Sequence, residues 1–203
     1  MKHFKLTSET KINALGIKVF RIECIIDSKW AKVGDKGGWI EKENNLFDNA
    51  WVSDNACVCG NARVSDNARV SDNACVSGNA WVCDSASVSG NAEVSDSVRV
   101  NGNACVGGDA CVSGNAWVSG NACVGGNAWI CGNADYCCFQ YFGSANRTTT
   151  AFKQKDGSVA IKCGCFFGSL YDFAKQVEKT HGDNKYGKQY KAIIEVIKAK
   201  FEL

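Results

Sequence analysis

From Ala50 to Asn133 the chain reads AWVSDN ACVCGN ARVSDN ARVSDN ACVSGN AWVCDS ASVSGN AEVSDS VRVNGN ACVGGD ACVSGN AWVSGN ACVGGN AWICGN, fourteen hexads without an insertion or deletion. The degenerate NNLFDN at residues 44–49 makes a fifteenth. A fixed short period settles the architecture ahead of any local propensity. Two positions of each hexad are nearly constant and apolar: the small one (Ala50, Ala56, Ala62) and the aliphatic two residues on (Val52, Val58, Val64). A spacing of two places both on one face of a strand and turns the residue between them outward. That intervening position varies freely, through Trp51, Cys57, Arg63, Arg69, Cys75 and Trp81. The other three positions, Ser-Gly-Asn or Ser-Asp-Asn in most hexads, are turn formers that tolerate positive φ. Such a short strand and corner bury nothing alone and become stable only as stacked coils, which predicts a parallel β-helix.

The aliphatic residue followed four positions later by a small one, as in Val52 to Ala56 and Val58 to Ala62, resembles the hexapeptide repeat of left-handed β-helices. The resemblance implies three hexads per triangular coil, hence a single-stranded left-handed parallel β-helix of about five coils stacked to about 24 Å. The left hand is implied by the resemblance alone, since the general rule for parallel crossovers favours the right. GGWIEKENNL, from Gly37 to Leu46, resembles the lead-in of hexapeptide-repeat proteins common in bacteriophages and prophages, whose genomes are rich in small counter-defence factors. The expected organisation is mainly β, with an N-terminal β cap over 1–43, the β-helix over 44–133 and a C-terminal ββαα module over 134–203.

In the cap, HFKLT and IKVFRIECII read as the strands of a hairpin around Asn13-Ala14-Leu15-Gly16. An open β-helix end exposes core and unpaired edges, so a cap is required, with Trp39 and Leu46 expected to plug that end. In the C-terminal module, TTTAFKQ and SVAIKCGC read as strands joined at Asp156-Gly157. Ser169-Leu170-Tyr171-Asp172 marks a helix start, with its end near Gly182. A second helix carries Tyr186, Tyr190, Ile193, Ile194, Ile197 and Phe201 at helical spacing, a face expected to cap the β-helix or meet another subunit.

The net charge of +2 conceals a split. Arg63, Arg69 and Arg99 face eight carboxylates within the repeat, Asp48, Asp54, Asp66, Asp72, Asp84, Glu93, Asp96 and Asp109, while the flanks are positive. A negative helix is a poor general nucleic-acid binder. No apolar run suits a membrane span, and the Met-Lys-His start lacks the apolar core of a signal peptide. Thirteen cysteines, an odd number placed mostly at outward repeat positions, point to a reducing cytoplasm. Cys57 with Cys59, Cys137 with Cys138 and Cys163 with Cys165 are close, yet none has the C-x2-C spacing of structural zinc, so no metal and no cofactor are expected.

Outward positions recur on one face at every third hexad. One column is Arg63, Trp81, Arg99, Trp117, followed by Asp135; its guanidinium and indole groups are expected to stack in alternation as an interaction surface or subunit contact. Trp51, Trp81, Trp117 and Trp129 together present more apolar surface than monomers usually leave wet, which predicts a homo-oligomer, dimer or trimer. The hexapeptide repeat also resembles that of acyl-CoA-dependent acyltransferases, which place a catalytic His on a coil or an extruded loop. Here only His3 and His181 exist, both in the flanks, and no loop leaves the coils, so binding is favoured over catalysis and His181 is the base only if acyl transfer occurs. Ser144-Ala145-Asn146-Arg147-Thr148-Thr149-Thr150 packs one cation and four hydroxyls into a single short run. With Lys162, the donors Arg147, Thr148, Thr149 and Thr150 suit phosphate or carboxylate, which points to an anionic, nucleotide-like ligand. A host protein or a structural assembly is the alternative partner class.

Overall fold

The computed structural model describes residues 2–203. Two-residue strands β4 (Trp51–Val52) through β17 (Trp129–Ile130) follow one per hexad. They stack into three parallel sheets, with Trp51, Arg69, Ser87, Cys105 and Cys123 on one outer face, Arg63, Trp81, Arg99 and Trp117 on another, and Cys57, Cys75, Glu93, Cys111 and Trp129 on the third. Register is constant at three hexads per coil, so Val52 meets Val70, and Val70 meets Val88. Each coil donates its amides to the next, as Trp51 N does to Ala68 O at 3.0 Å. Every Val and Ala of the inner positions is buried, which gives one continuous core along the axis.

The corners explain why the fifth hexad position holds only Asp or Gly. Its backbone sits at φ between +51° and +70° at every corner from Asp48 through Gly126, and only Gly132, where the coils end, is extended. Gly adopts the positive region freely and Asp tolerates it. Where Asp stands there, its carboxylate accepts the amide of the equivalent residue one coil on: Asp72 from Gly90, Asp84 from Gly102 and Asp96 from Gly114, each at 2.9 Å. Asn side chains form a second ladder, Asn55 to Asn73 to Asn91 to Asp109.

The N-terminal hairpin pairs β1 (Phe4–Ile12) with β2 (Lys18–Cys24), and β2 continues antiparallel to β3 (Lys36–Ile40), which runs parallel to Cys57–Val58 of the first full coil. Phe4, Ile22, Ile40 and Leu46 close that end of the core. Gly38 has no room for a side chain, because a Cβ would lie 2.7 Å from Ala56 O. Trp39 does not plug the end as expected: strand alternation turns it outward above Cys57, while Ile40 points in. The hairpin folds back over this face, so Cys57 and Cys59 are buried with Val19 and Trp39 rather than surface-exposed. Trp51 is likewise covered, 5.8 Å from the His3 ring. His3, held 3.0 Å from Ala50 O, has its pKa lowered by burial against the smaller raising effects of that hydrogen bond and of Asp48.

After the last coil a four-stranded antiparallel sheet forms, β18 (Tyr136–Phe142), β19 (Arg147–Lys153), β20 (Val159–Cys163) and β21 (Phe166–Ser169), followed by α1 (Leu170–His181) and α2 (Lys185–Phe201). The expected ββαα module is therefore ββββαα. Ser169 caps α1, accepting from Asp172 N at 3.1 Å, and Gly182 ends it. Asn184 caps α2 through Tyr186 N and Gly187 N. The sheet has two working faces. Tyr136, Cys138, Phe152 and Ala160 close the C-terminal end of the β-helix core. Ala151, Ile161 and Cys163 pack beneath Phe173, Val177, Tyr190, Ile193, Ile194 and Ile197 of the helices. The apolar stripe of α2 thus covers the sheet, and the sheet caps the coils. No helix among the described residues is long and apolar enough to cross a membrane.

Candidate functional site

Strand alternation divides the predicted anion-binding set. On β19, Arg147 and Thr149 share the face that looks toward α1 and α2, while Thr148 and Thr150 share the opposite face with Phe152. Thr149 is fully buried, donating to Cys163 Sγ at 3.3 Å. Thr150 is also buried and accepts the Cys123 amide of the last coil at 3.1 Å, so it fastens the module to the β-helix. Lys162 is the register partner of Thr150 and lies on that same side, near Cys123. Thr148, Thr150 and Lys162 therefore do not join Arg147 in one site.

Arg147 instead reaches a cavity of about 370 Å³ between β19, the β20–β21 turn and the helices. The turn residue Gly164, at φ +58°, lets the guanidinium lie against it, since a Cβ there would sit 2.9 Å from Arg147 Cδ. Arg147 makes no ion pair among the described residues. Cys163, Gln176, Thr180, His181 and Tyr190 share this lining with Phe166 and Phe173. His181, in the last turn of α1, stacks on Tyr190 at 5.6 Å and 26°. Tyr190 donates weakly to Phe142 O at 3.5 Å, and burial pushes its pKa up to about 12, so the phenol stays a neutral donor. Gln176 Nε2 donates to Thr180 Oγ1 at 2.9 Å.

Arg147 and His181 are thus brought together from β19 and the far end of α1, the first from the ligand-binding set and the second from the acyl-transfer alternative. Chemically the cavity offers a cation, an amide, hydroxyls and the four rings of Phe166, Phe173, His181 and Tyr190, the equipment for an anionic group attached to a flat or apolar body. Sequence reading missed Gln176, Thr180 and Tyr190 as lining residues.

On the coils, Arg63, Trp81, Arg99 and Trp117 are register neighbours as expected. Trp81 is 43% and Trp117 49% exposed. Alternating stacking holds in part: Arg99 lies 5.9 Å from the Trp81 ring, whereas Arg63 turns to Phe47. Each indole N–H is satisfied one coil back, Trp81 by Ser65 Oγ and Trp117 by Asn101 Oδ1. Asp135 does not continue the column. It accepts from Cys131 N and pairs with Lys153 at 2.9 Å, while Asn133 caps the Trp117 amide.

Two sulfur-containing groups stand out. Asp66, Cys83 and Asp84 bring three donor atoms within 4.8 Å of one another on an exposed corner, as part of the carboxylate ladder. Under the hairpin, Asn13 Nδ2 lies 3.5 Å from both Cys57 Sγ and Cys59 Sγ, and the neighbouring Cys59 and Cys75 thiols draw the Cys57 pKa down while Cys57 pushes theirs up.

In comparison with known proteins, the family model for the YdcK beta solenoid repeat matches residues 68–84, about one coil of the stack. No curated protein matches the chain. The chain is a β-helix repeat protein: a parallel β-solenoid of about five turns between an antiparallel hairpin and a helical end module.

Proposed function

We propose that this protein binds rather than catalyses, and that its C-terminal module holds a small anionic ligand of the phosphorylated, nucleotide-like class. The single observation that carries the reading is the unpaired Arg147 guanidinium at a cavity lined by Gln176, Thr180, His181 and aromatic rings. A cavity of about 370 Å³ lies at the small end of the roughly 300–1,000 Å³ range of small-molecule sites. The ligand's anion pairs with Arg147, and its flat portion packs against Phe166 or the Tyr190–His181 stack. On this reading the protein is of phage or prophage type, working in the host cytoplasm as a counter-defence or host-interaction factor. The resemblance of its lead-in segment and the reducing environment suited to thirteen free thiols support that assignment.

Mass spectrometry of the natively purified protein, followed by calorimetry with nucleotides and inorganic phosphate, tests the proposal. Arg147→Ala is expected to weaken binding by about 1.5–3 kcal/mol, the scale of a charge-assisted hydrogen bond, with an unchanged melting temperature. An acyl-CoA turned over in a His181-dependent way would replace binding with catalysis.

A second reading, assembly, is favoured by Trp81, Trp117 and Trp129, which remain 43–49% exposed. It places a dimer or trimer contact over the Arg/Trp face of Trp81 and Trp117, with Trp129 on the neighbouring face that carries Cys111. Trp51 drops out of the argument because the hairpin covers it. Light scattering at micromolar concentration is expected to report more than one subunit; a monomer with these three indoles freely quenched sinks this reading.

A further inference from the structure

We infer that the N-terminal end of the Arg/Trp face is a second binding site, for an acidic saccharide that carries a uronic-acid carboxylate. A cavity of about 480 Å³ opens there between the 3-10 turn Glu43–Asn45 and the first coils. Asn45 fixes the turn: its fully buried side chain accepts from Lys42 N at 2.9 Å and donates to Ala62 O at 2.8 Å. Lys42 and Asn44 are thereby held at one end of the cavity, and the register of the coils brings Arg63 and then Trp81 along it. The indole is fixed as well, since its Nε1 donates to Ser65 Oγ at 3.2 Å while the ring stays exposed.

The lining selects the ligand. In a repeat of three arginines and eight carboxylates, this cavity carries Lys42 and Arg63 and no carboxylate. Neither cation has an ion pair among the described residues, and the adjacent Glu43 is taken by Lys2. A guanidinium meets a carboxylate through two parallel hydrogen bonds. Asn61 and Asn79 make one wall, joined by Asn61 Nδ2 donating to Asn79 Oδ1 at 3.3 Å, and Lys42 Nζ reaches Asn61 Oδ1 at 3.3 Å. Asn79 Nδ2 and the Asn44 side chain have no hydrogen-bond partner among the described residues. A side-chain amide both donates and accepts, as a sugar hydroxyl does. Trp81 and the Ala80 methyl supply the apolar lining, enough for the carbon face of one pyranose ring and too little to sandwich a nucleobase. In this the site differs from the Arg147 cavity, where four rings surround one cation.

The test is calorimetry of the full chain with short oligomers of galacturonate, mannuronate and glucuronate, each beside its uncharged methyl ester, and with inorganic phosphate as the bare anion. At least one oligouronate is expected to bind, and its methyl ester to bind more weakly. Arg63→Ser is expected to weaken binding about 10–100-fold, the loss of a charge-assisted contact. Serine already fills an outward hexad position at Ser87, and circular dichroism checks the fold. Trp81→Ala is expected to weaken binding too, and Arg147→Ala to leave it unchanged, which separates this site from the one in the C-terminal module. Failure of all the oligomers to bind at millimolar concentration, equal affinity for acid and ester, phosphate binding as tightly as the oligomers, or a loss in Arg147→Ala rather than Arg63→Ser overturns the site. So does a subunit contact that shields Trp81 from quenching.

Discussion

Val88→Asp is expected to unfold the β-helix or to cost more than about 4 kcal/mol, at the extreme of single-substitution effects. Val88 has no solvent exposure and sits between Val70 and Val106 in the middle of its sheet. The coils above and below share one continuous hydrogen-bonded stack, so the backbone cannot turn a carboxylate outward without breaking register on both sides. Among the described residues, no Lys or Arg is buried in the core to pair with it. The neighbouring Ser87 points outward between Arg69 and Cys105, and Ser87→Ala is expected to change stability by less than about 0.5 kcal/mol. Urea unfolding of the two variants measures the contrast. Val88→Asp melting with the parent would mean that the inner and outer hexad positions are exchanged.

That contrast is legible in the sequence because the hexad period fixes inside and outside at every repeat independently. The same regularity made the outward columns readable, since a coil without insertions keeps its register. What the period does not carry is where the flanks lie. Nothing in AWVSDN or ACVCGN says that Trp51 and Cys57 are covered while Trp81 and Cys105, at equivalent positions, are not. The N-terminal hairpin decides this by folding over one end, and its path depends on tertiary contacts such as Asn13 with Cys57 and Cys59. The same holds for the acidic charge of the repeat. Read as composition it is a solvated negative surface, but Asp72, Asp84 and Asp96 are spent on amides of the next coil. In the C-terminal module, YCCFQYF hides a strand because both of its faces are apolar, one toward the coils and one toward the helices, which erases the alternation that usually reveals a strand. The Ser/Thr-rich run around Arg147 drew attention to the right strand. Composition alone cannot show that alternate residues of that strand serve opposite faces, so only Arg147 reaches the cavity and Thr150 became a fastener.

Removing the plug beneath that fastener is expected to separate the two layers. Phe152→Ala should destabilise the protein by about 3–5 kcal/mol, the range for emptying a buried aromatic site. Phe152 is the largest fully buried side chain, and it faces the open end of the last coil, with Phe167 6.4 Å away at the rim. The β-helix end it covers presents Val124 and Ile130, whose strands have no further coil to pair with. Without the ring, the module retains polar links to the coils such as the Thr150–Cys123 bond, the Asn121–Gln140 bond and the Lys155–Asn127 contact. Those polar links are worth about 0.5–1.5 kcal/mol each and do not replace a buried aromatic. The consequence is regional as well as global: protease sensitivity should rise over residues 134–203 before the coils are lost, because the sheet holds the helices and the ring holds the sheet. Phe167→Ala, which removes a ring that is 48% exposed, is the matched control and should cost much less. Limited proteolysis with mass mapping, alongside urea midpoints, reads both effects. Equal midpoints for Phe152→Ala and Phe167→Ala would show that the C-terminal module is held to the coils by its edge bonds and not by the plug.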